Sequence, residues 1–112
     1  MTESYKESIL LGKIKSYIGF AKKSRNIKIG IDNILAYKKF SVIIFSRDIS
    51  ENSKNKLKNY AEKLNVVAIE VDSLLTEYVF DTDRIKAFSI TNENLAKSCV
   101  ECIKKLEDST VE

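Results

Sequence analysis

The stretch "FSVIIFS", residues 40–46, constrains this chain more than any other. Val42, Ile43, Ile44 and Phe45 follow one another with no polar residue between them, and three of the four are β-branched. Side chains of a strand alternate between two faces, so a strand with no polar alternation needs cover on both. The run therefore reads as the central strand of a buried sheet. The rest of the chain must supply a layer on each side.

The flanking sequence supplies helices and shorter strands in alternation. In residues 4–24, Leu10, Ile14, Tyr17, Ile18 and Ala21 recur at helical spacing as one stripe, with Gly12 and Gly19 on the opposite side. Ile27 and Ile29 alternate with Lys28 as a short strand, and Ile31, Ile34 and Leu35 suit a short helix. After the central strand, Ser50 is placed to cap a helix with Glu51 in its first turn. Leu57, Tyr60, Ala61 and Leu64 fall on one face of that helix, and Lys54, Lys56, Lys58 and Lys63 on the others. "NVVAIEV" is a strand, "SLLTEYVF" a short helix or turn, "DTD" a polar loop, and "RIKAFSI" (84–90) a strand. A last helix covers 92–107, with Leu95, Ala96, Cys99, Val100, Cys102, Ile103 and Leu106 in one arc, and 107–112 read as a frayed tail. Such alternation implies an α/β sandwich around a small, mostly buried sheet.

Composition narrows the function classes. A chain of 112 residues, 44 % apolar and 31 % charged, suits one compact domain. No apolar run approaches a membrane span, and "MTESYKESIL" does not read as a signal peptide, which points to the cytoplasm. There is no histidine, so the commonest general base and metal ligand is missing. The C-x-x-C of Cys99 and Cys102 lies within a helix on its apolar face, which reads as core packing and not as a metal half-site or redox pair. Asp72, Asp81 and Asp83 read as solvated loop acids. Tyr5, Tyr17, Tyr37, Tyr60 and Tyr78 are scattered and read as core-edge residues. No phosphate loop, dinucleotide fingerprint or nucleophile elbow is present. No catalytic residue, cofactor or metal is expected.

Charge is distributed unevenly. Residues 1–40 carry nine Lys or Arg against three acids, a net of +6, and residues 41–112 carry ten against thirteen, a net of −3. Between 13 and 28 stand Lys13, Lys15, Lys22, Lys23, Arg25 and Lys28 with no acid among them. This segment runs into Gly30, where a strand gives way to a helix whose first turn holds Asp32 and Asn33. A basic segment ahead of a helix start fits an anionic partner such as RNA; a solvated face and a plain turn glycine are the bland alternatives.

The pattern resembles the bacterial YlxQ branch of the ribosomal L-seven-Ae/L-thirty-e family. "GFAKKSRNIKIG" (19–30) is similar to "G-L-A-x-R-A-G-K-L-x-x-G", and "VIIFSRDISENSKNKL" (42–57) to a strand followed by "A-x-D-x-S-x-N-T-K-x-K". "NVVAIEV" and "RIKAFSITNENLAKSCVECI" fit the following strand and the closing strand and helix, so the likeness covers about residues 13–105. It implies a three-layer α/β/α sandwich with a small mixed four-stranded sheet. It also implies structured RNA, often a kink-turn, as the partner, with ribosome or ribonucleoprotein association and no catalysis. The chain departs from the family at Asp32, where Asn is usual, at Asn33, where Glu is usual, and at Ala36, where a lysine is expected. The resemblance thus implies the fold, with an altered kink-turn preference.

Two expectations result. In the first, the protein binds structured RNA: Lys22, Lys23, Arg25 and Lys28 hold phosphates, and Gly30, Asp32 and Asn33 approach bases. In the second, a protein-interaction or assembly module keeps the sandwich with RNA recognition weakened or lost.

Overall fold

The structure is a computed structural model that describes the backbone of residues 2–110 and the side chains of residues 7–107. Its elements run α1 (Thr2–Lys23), β1 (Ile27–Ile29), α2 (Ile31–Ala36), β2 (Val42–Ser46), α3 (Glu51–Leu64), β3 (Val67–Val71), α4 (Ser73–Phe80), β4 (Ala87–Ile90) and α5 (Glu93–Thr110). The strands form one mixed sheet in the order β1-β4-β2-β3. β4 is antiparallel to both β1 and β2, and β2 is parallel to β3. β1, β2 and β3 therefore point the same way, and all three hand over to a helix at the same end of the sheet.

The sheet lies between two apolar layers. Val42 and Ile44 of β2, with Phe88 and Ile90 of β4, face Ile14 and Ile18 of α1, Leu75 and Val79 of α4, and Cys99 and Ile103 of α5. Ile43 and Phe45 face the other way, toward Ile34 of α2 and Leu57 and Ala61 of α3. All five residues of β2 are buried. Each fully buried large apolar side chain here contributes about 1.5–3 kcal/mol. Together the layers make the three-layer α/β/α sandwich.

Local chemistry sets the helix ends. Ser50 caps α3 by accepting from the Ser53 N–H at 3.1 Å. Asp72 caps α4 by accepting from the Leu74 N–H at 2.9 Å, and Asp81 closes it in the left-handed region, so "SLLTEYVF" is a helix. β4 begins at Ala87 and not near residue 84, where the alternating pattern starts. α5 runs on to Thr110 instead of ending near 107, and the last two residues of the expected tail lie outside the described ones.

Lys54 is the clearest correction to the expectation that it lies, with Lys56, Lys58 and Lys63, off the apolar face of its helix. It is only 9 % exposed, because it shares a helix face with Leu57 and Ala61. Its ammonium lies 3.2 Å from Glu70 of β3 and 3.6 Å from Glu51. Glu70 is an inward-pointing charge on an edge strand, a placement that discourages pairing with another chain.

Candidate nucleic-acid interface

The basic segment starts where α1 stops. The Arg25 N–H donates to the Lys22 carbonyl at 3.2 Å and the Asn26 N–H to the Ala21 carbonyl at 2.7 Å. This is the paired bonding that closes a helix around one left-handed residue. That residue is Arg25, at φ 60°. The other two positive-φ positions not filled by glycine carry Asn65 and Asp81, types that tolerate this region. Arginine is not among the types that favour this region. The turn accepts strain to hold a guanidinium that is exposed and, among the described residues, makes no ion pair.

The neighbouring cations divide between two faces of the sheet. Lys22 Nζ lies 4.8 Å from the centroid of the Phe80 ring, on the α1/α4 side. Lys28 alternates with Ile27 and Ile29, which pack on that same side, so it points to the other layer. There its Nζ lies 4.5 Å from the centroid of the Tyr37 ring. Tyr37 in turn packs on Phe40, and Phe40 on Tyr60, whose hydroxyl donates to the Tyr37 carbonyl. Lys23 is exposed. The four predicted phosphate cations thus flank the edge of the sheet and do not share one surface. Among the described residues none of them pairs with a carboxylate; two lie over aromatic rings instead.

At Gly30 the chain adopts φ 94° and ψ 148°, a conformation open essentially to glycine alone. A Cβ there would meet nothing closer than the Asn33 amide nitrogen at 4.0 Å, so the glycine is required by backbone angle and not by packing. Its N–H is not available to a ligand, because it donates to the Ala87 carbonyl at 2.9 Å. The first intrahelical bond of α2 runs from the Ile34 N–H to the Gly30 carbonyl, which leaves the amides of Ile31, Asp32 and Asn33 without intrahelical acceptors. Asn33 is partly committed: one amide hydrogen goes to the Ile29 carbonyl at 2.7 Å, leaving the other hydrogen and Oδ1 to face outward. Asp32 is exposed in the same turn. The structure brings Lys28, Gly30, Asp32 and Asn33 together at one strand-to-helix junction and places Lys22, Lys23 and Arg25 at the end of α1 that precedes it.

A second charged group, which the sequence reading missed, sits at the same end of the sheet. Lys86 adjoins Ala87, the partner of Gly30, and its ammonium lies 2.9 Å from Asp48. The Ser46 hydroxyl, fully buried, also donates to Asp48. That hydroxyl and the Lys86 ammonium hold the Asp48 carboxyl below its ordinary value, and Asp48 holds Lys86 above its own. Arg47 lies 3.6 Å from Glu70 and 3.9 Å from Asp72. A buried serine two residues before an aspartate at the end of a central strand was the readable signal.

The remaining candidates have structural surroundings. Cys99 and Cys102 are buried thiols, and burial pushes Cys99 up to about 12. Asp81 pairs with Lys15 at 3.0 Å. Tyr17 packs against the core, Tyr78 lies under Lys15, and Tyr5 falls outside the described side chains. Among the described residues no group of three or more His, Cys, Asp or Glu side chains could hold a metal, and no helix is long and apolar enough to cross a membrane.

No protein-family model matches the sequence, and a search of the curated proteins finds no match. Solved structures share the fold. A protein of unknown function from Bacillus halodurans superposes with a TM-score of 0.71 at 14 % identity, covering 82 % of this chain and 97 % of its own. The 15.5kD RNA binding protein of Giardia lamblia superposes with a TM-score of 0.61 at 17 % identity, covering 98 % of this chain and 92 % of its own.

Proposed function

We propose that this protein binds structured RNA of the kink-turn type as a non-catalytic component of a ribosome-associated or other ribonucleoprotein particle. One observation carries the reading. The cations of residues 22–28 have no carboxylate partners among the described residues, and one of them, Arg25, occupies a backbone position that disfavours arginine. Uncompensated positive charge held at a conformational cost suits a polyanion, which supplies the missing negative charge on binding. The fold, shared with a Giardia protein described as RNA binding, is compatible with that use.

In this reading Lys22, Lys23, Arg25 and Lys28 contact phosphates from both sides of the β1 edge, while Asp32 and Asn33 present acceptors and one amide hydrogen to base edges. The chain has no need of a general base or metal, since binding is the whole activity. The test is a fluorescence-anisotropy titration of a labelled kink-turn RNA against the same RNA with its tandem G·A pairs replaced. Saturable binding that weakens on replacement of those pairs supports the proposal. Binding of neither RNA, together with a defined protein partner in crosslinked lysate, would favour an assembly module instead.

A further inference from the structure

The outer face of α1 carries an arrangement that neither the core nor the Gly30 junction uses. Phe20 is 61 % exposed, on the side of the helix away from Ile14, Ile18 and Ala21. With Ser16, Gly19 and Lys23 it lines an open cleft of about 210 Å³. Glycine in a helix interior is destabilising relative to alanine. Yet a Cβ built on Gly19 would meet nothing within 4 Å, so the fold itself does not require the small residue. The effect of the glycine is to leave open space beside the exposed ring. Lys23 stands one turn beyond Phe20, exposed and without an ion pair among the described residues, and there is no acid anywhere between residues 13 and 28.

An exposed aromatic face, a cleared flank and an adjacent cation match the elements that take up single-stranded nucleic acid, where bases stack on rings and phosphates track positive charge. We propose that the Phe20 face of α1 stacks an unpaired nucleobase, with Lys23 holding the phosphate beside it. The site extends the RNA-binding reading above and rests on it: a single-stranded flank of the bound RNA passes over α1 while its structured part engages the β1–α2 junction. The stretch of α1 from residue 13 onward, with no acid up to residue 28, favours this occupant over a second copy of the same helix, which would bring the lysines of one copy against those of the other.

The chain contains no tryptophan, so Phe20→Trp installs a single indole at the site. The probes are a short oligouridylate and an abasic oligomer of equal length. The expected result is quenching of the indole emission by oligouridylate and not by the abasic oligomer. Phe20→Ala should weaken oligouridylate binding about tenfold or more, Phe20→Tyr should preserve it, and Lys23→Gln should reduce the salt slope by roughly 0.7. Phe20 is exposed, so circular dichroism of Phe20→Ala should match the parent. Equal quenching by both oligomers, or unchanged oligouridylate binding by Phe20→Ala, overturns the proposal. Concentration-dependent dimerisation that Phe20→Ala abolishes also overturns it, by assigning the face to self-association. The kink-turn titration separates the two readings: if parent and Phe20→Ala bind that RNA alike and oligouridylate binding is also unchanged, only the stacking site fails. If neither binds any RNA, both fail.

Discussion

Two charged regions border the sheet, and they treat their cations in opposite ways. Around the ends of β2 and β3, Arg47, Lys54 and Lys86 each lie within 4 Å of a carboxylate, on Glu70, Glu51, Asp72 or Asp48. Around the end of α1 and β1, Lys22 and Lys28 lie over aromatic rings while Lys23 and Arg25 face solvent. The first arrangement joins elements: Lys54 links α3 to β3, and Lys86 and Asp48 link the start of β4 to the loop after β2. The second leaves positive charge unsatisfied within the described part of the chain. The difference separates charge that ties elements of the fold together from charge that makes no ion pair among the described residues, and substitutions can break or sharpen it.

The largest effect on stability should come from Lys54→Ala. It removes a stem packed beside Leu57 and leaves Glu70 with Arg47 alone at 3.6 Å. We expect a loss of about 2 kcal/mol in denaturant unfolding, with RNA affinity unchanged. An unfolding midpoint equal to that of the parent would erase the distinction between the regions. Gly30→Ala forces a side chain into φ 94° and should cost about 1–2 kcal/mol, although there is space for the added methyl group.

Arg25→Gly sharpens the comparison, because its two effects should have opposite signs. Relief of the left-handed strain should stabilise the fold by about 0.5–1 kcal/mol, and loss of the guanidinium should weaken RNA binding. A stability gain with unaltered binding would reduce Arg25 to a poorly chosen turn residue. The smallest effect concerns Asp48, whose depressed carboxyl is solvent-facing and therefore screened. A depressed folded value means its contribution is fully present above the ordinary carboxylate value of 3.8 and is lost as pH falls through the folded one. Asp48→Asn should lower stability slightly at neutral pH and converge with the parent at low pH, which flattens the acid limb of an unfolding-versus-pH curve below about pH 4.

The fold was legible because its strongest signals are local. Four consecutive apolar residues in β2 demanded cover on two faces, and the stripes of α1 and α5 supplied one of those layers. α4 read as a helix or turn because eight apolar-rich residues carry little periodicity; its decisive evidence was the pair of aspartates, Asp72 and Asp81, that bound it. Lys54 was misplaced because residue type was weighed above position. It lies three and seven residues before Leu57 and Ala61, on the buried face, and only the tertiary partner Glu70 explains a lysine there. At the candidate site, the sequence located the basic segment and the glycine junction. It could not show that Lys22 and Lys28 fall on opposite sides of the sheet, since that follows from strand alternation combined with rings brought in from α4 and from the turn after α2. Nor could it show that the Gly30 amide is consumed by Ala87, a contact across the sheet.

The central claim is that the charge of residues 22–28 serves a polyanion and not the fold, and the salt dependence of RNA binding tests it most directly. Each phosphate contact removed should reduce the slope of log K against log salt by roughly 0.7–0.9. The variant Lys23→Gln, Arg25→Gln, Lys28→Gln should therefore flatten the kink-turn RNA slope by roughly 2–3 and weaken binding across many RNA sequences. Replacement of Lys104 and Lys105, exposed on the outer side of α5, by Gln should change the slope little. A triple variant with the parent's affinity and slope would contradict the account, making the basic segment a solvated face and the Gly30 junction a plain turn.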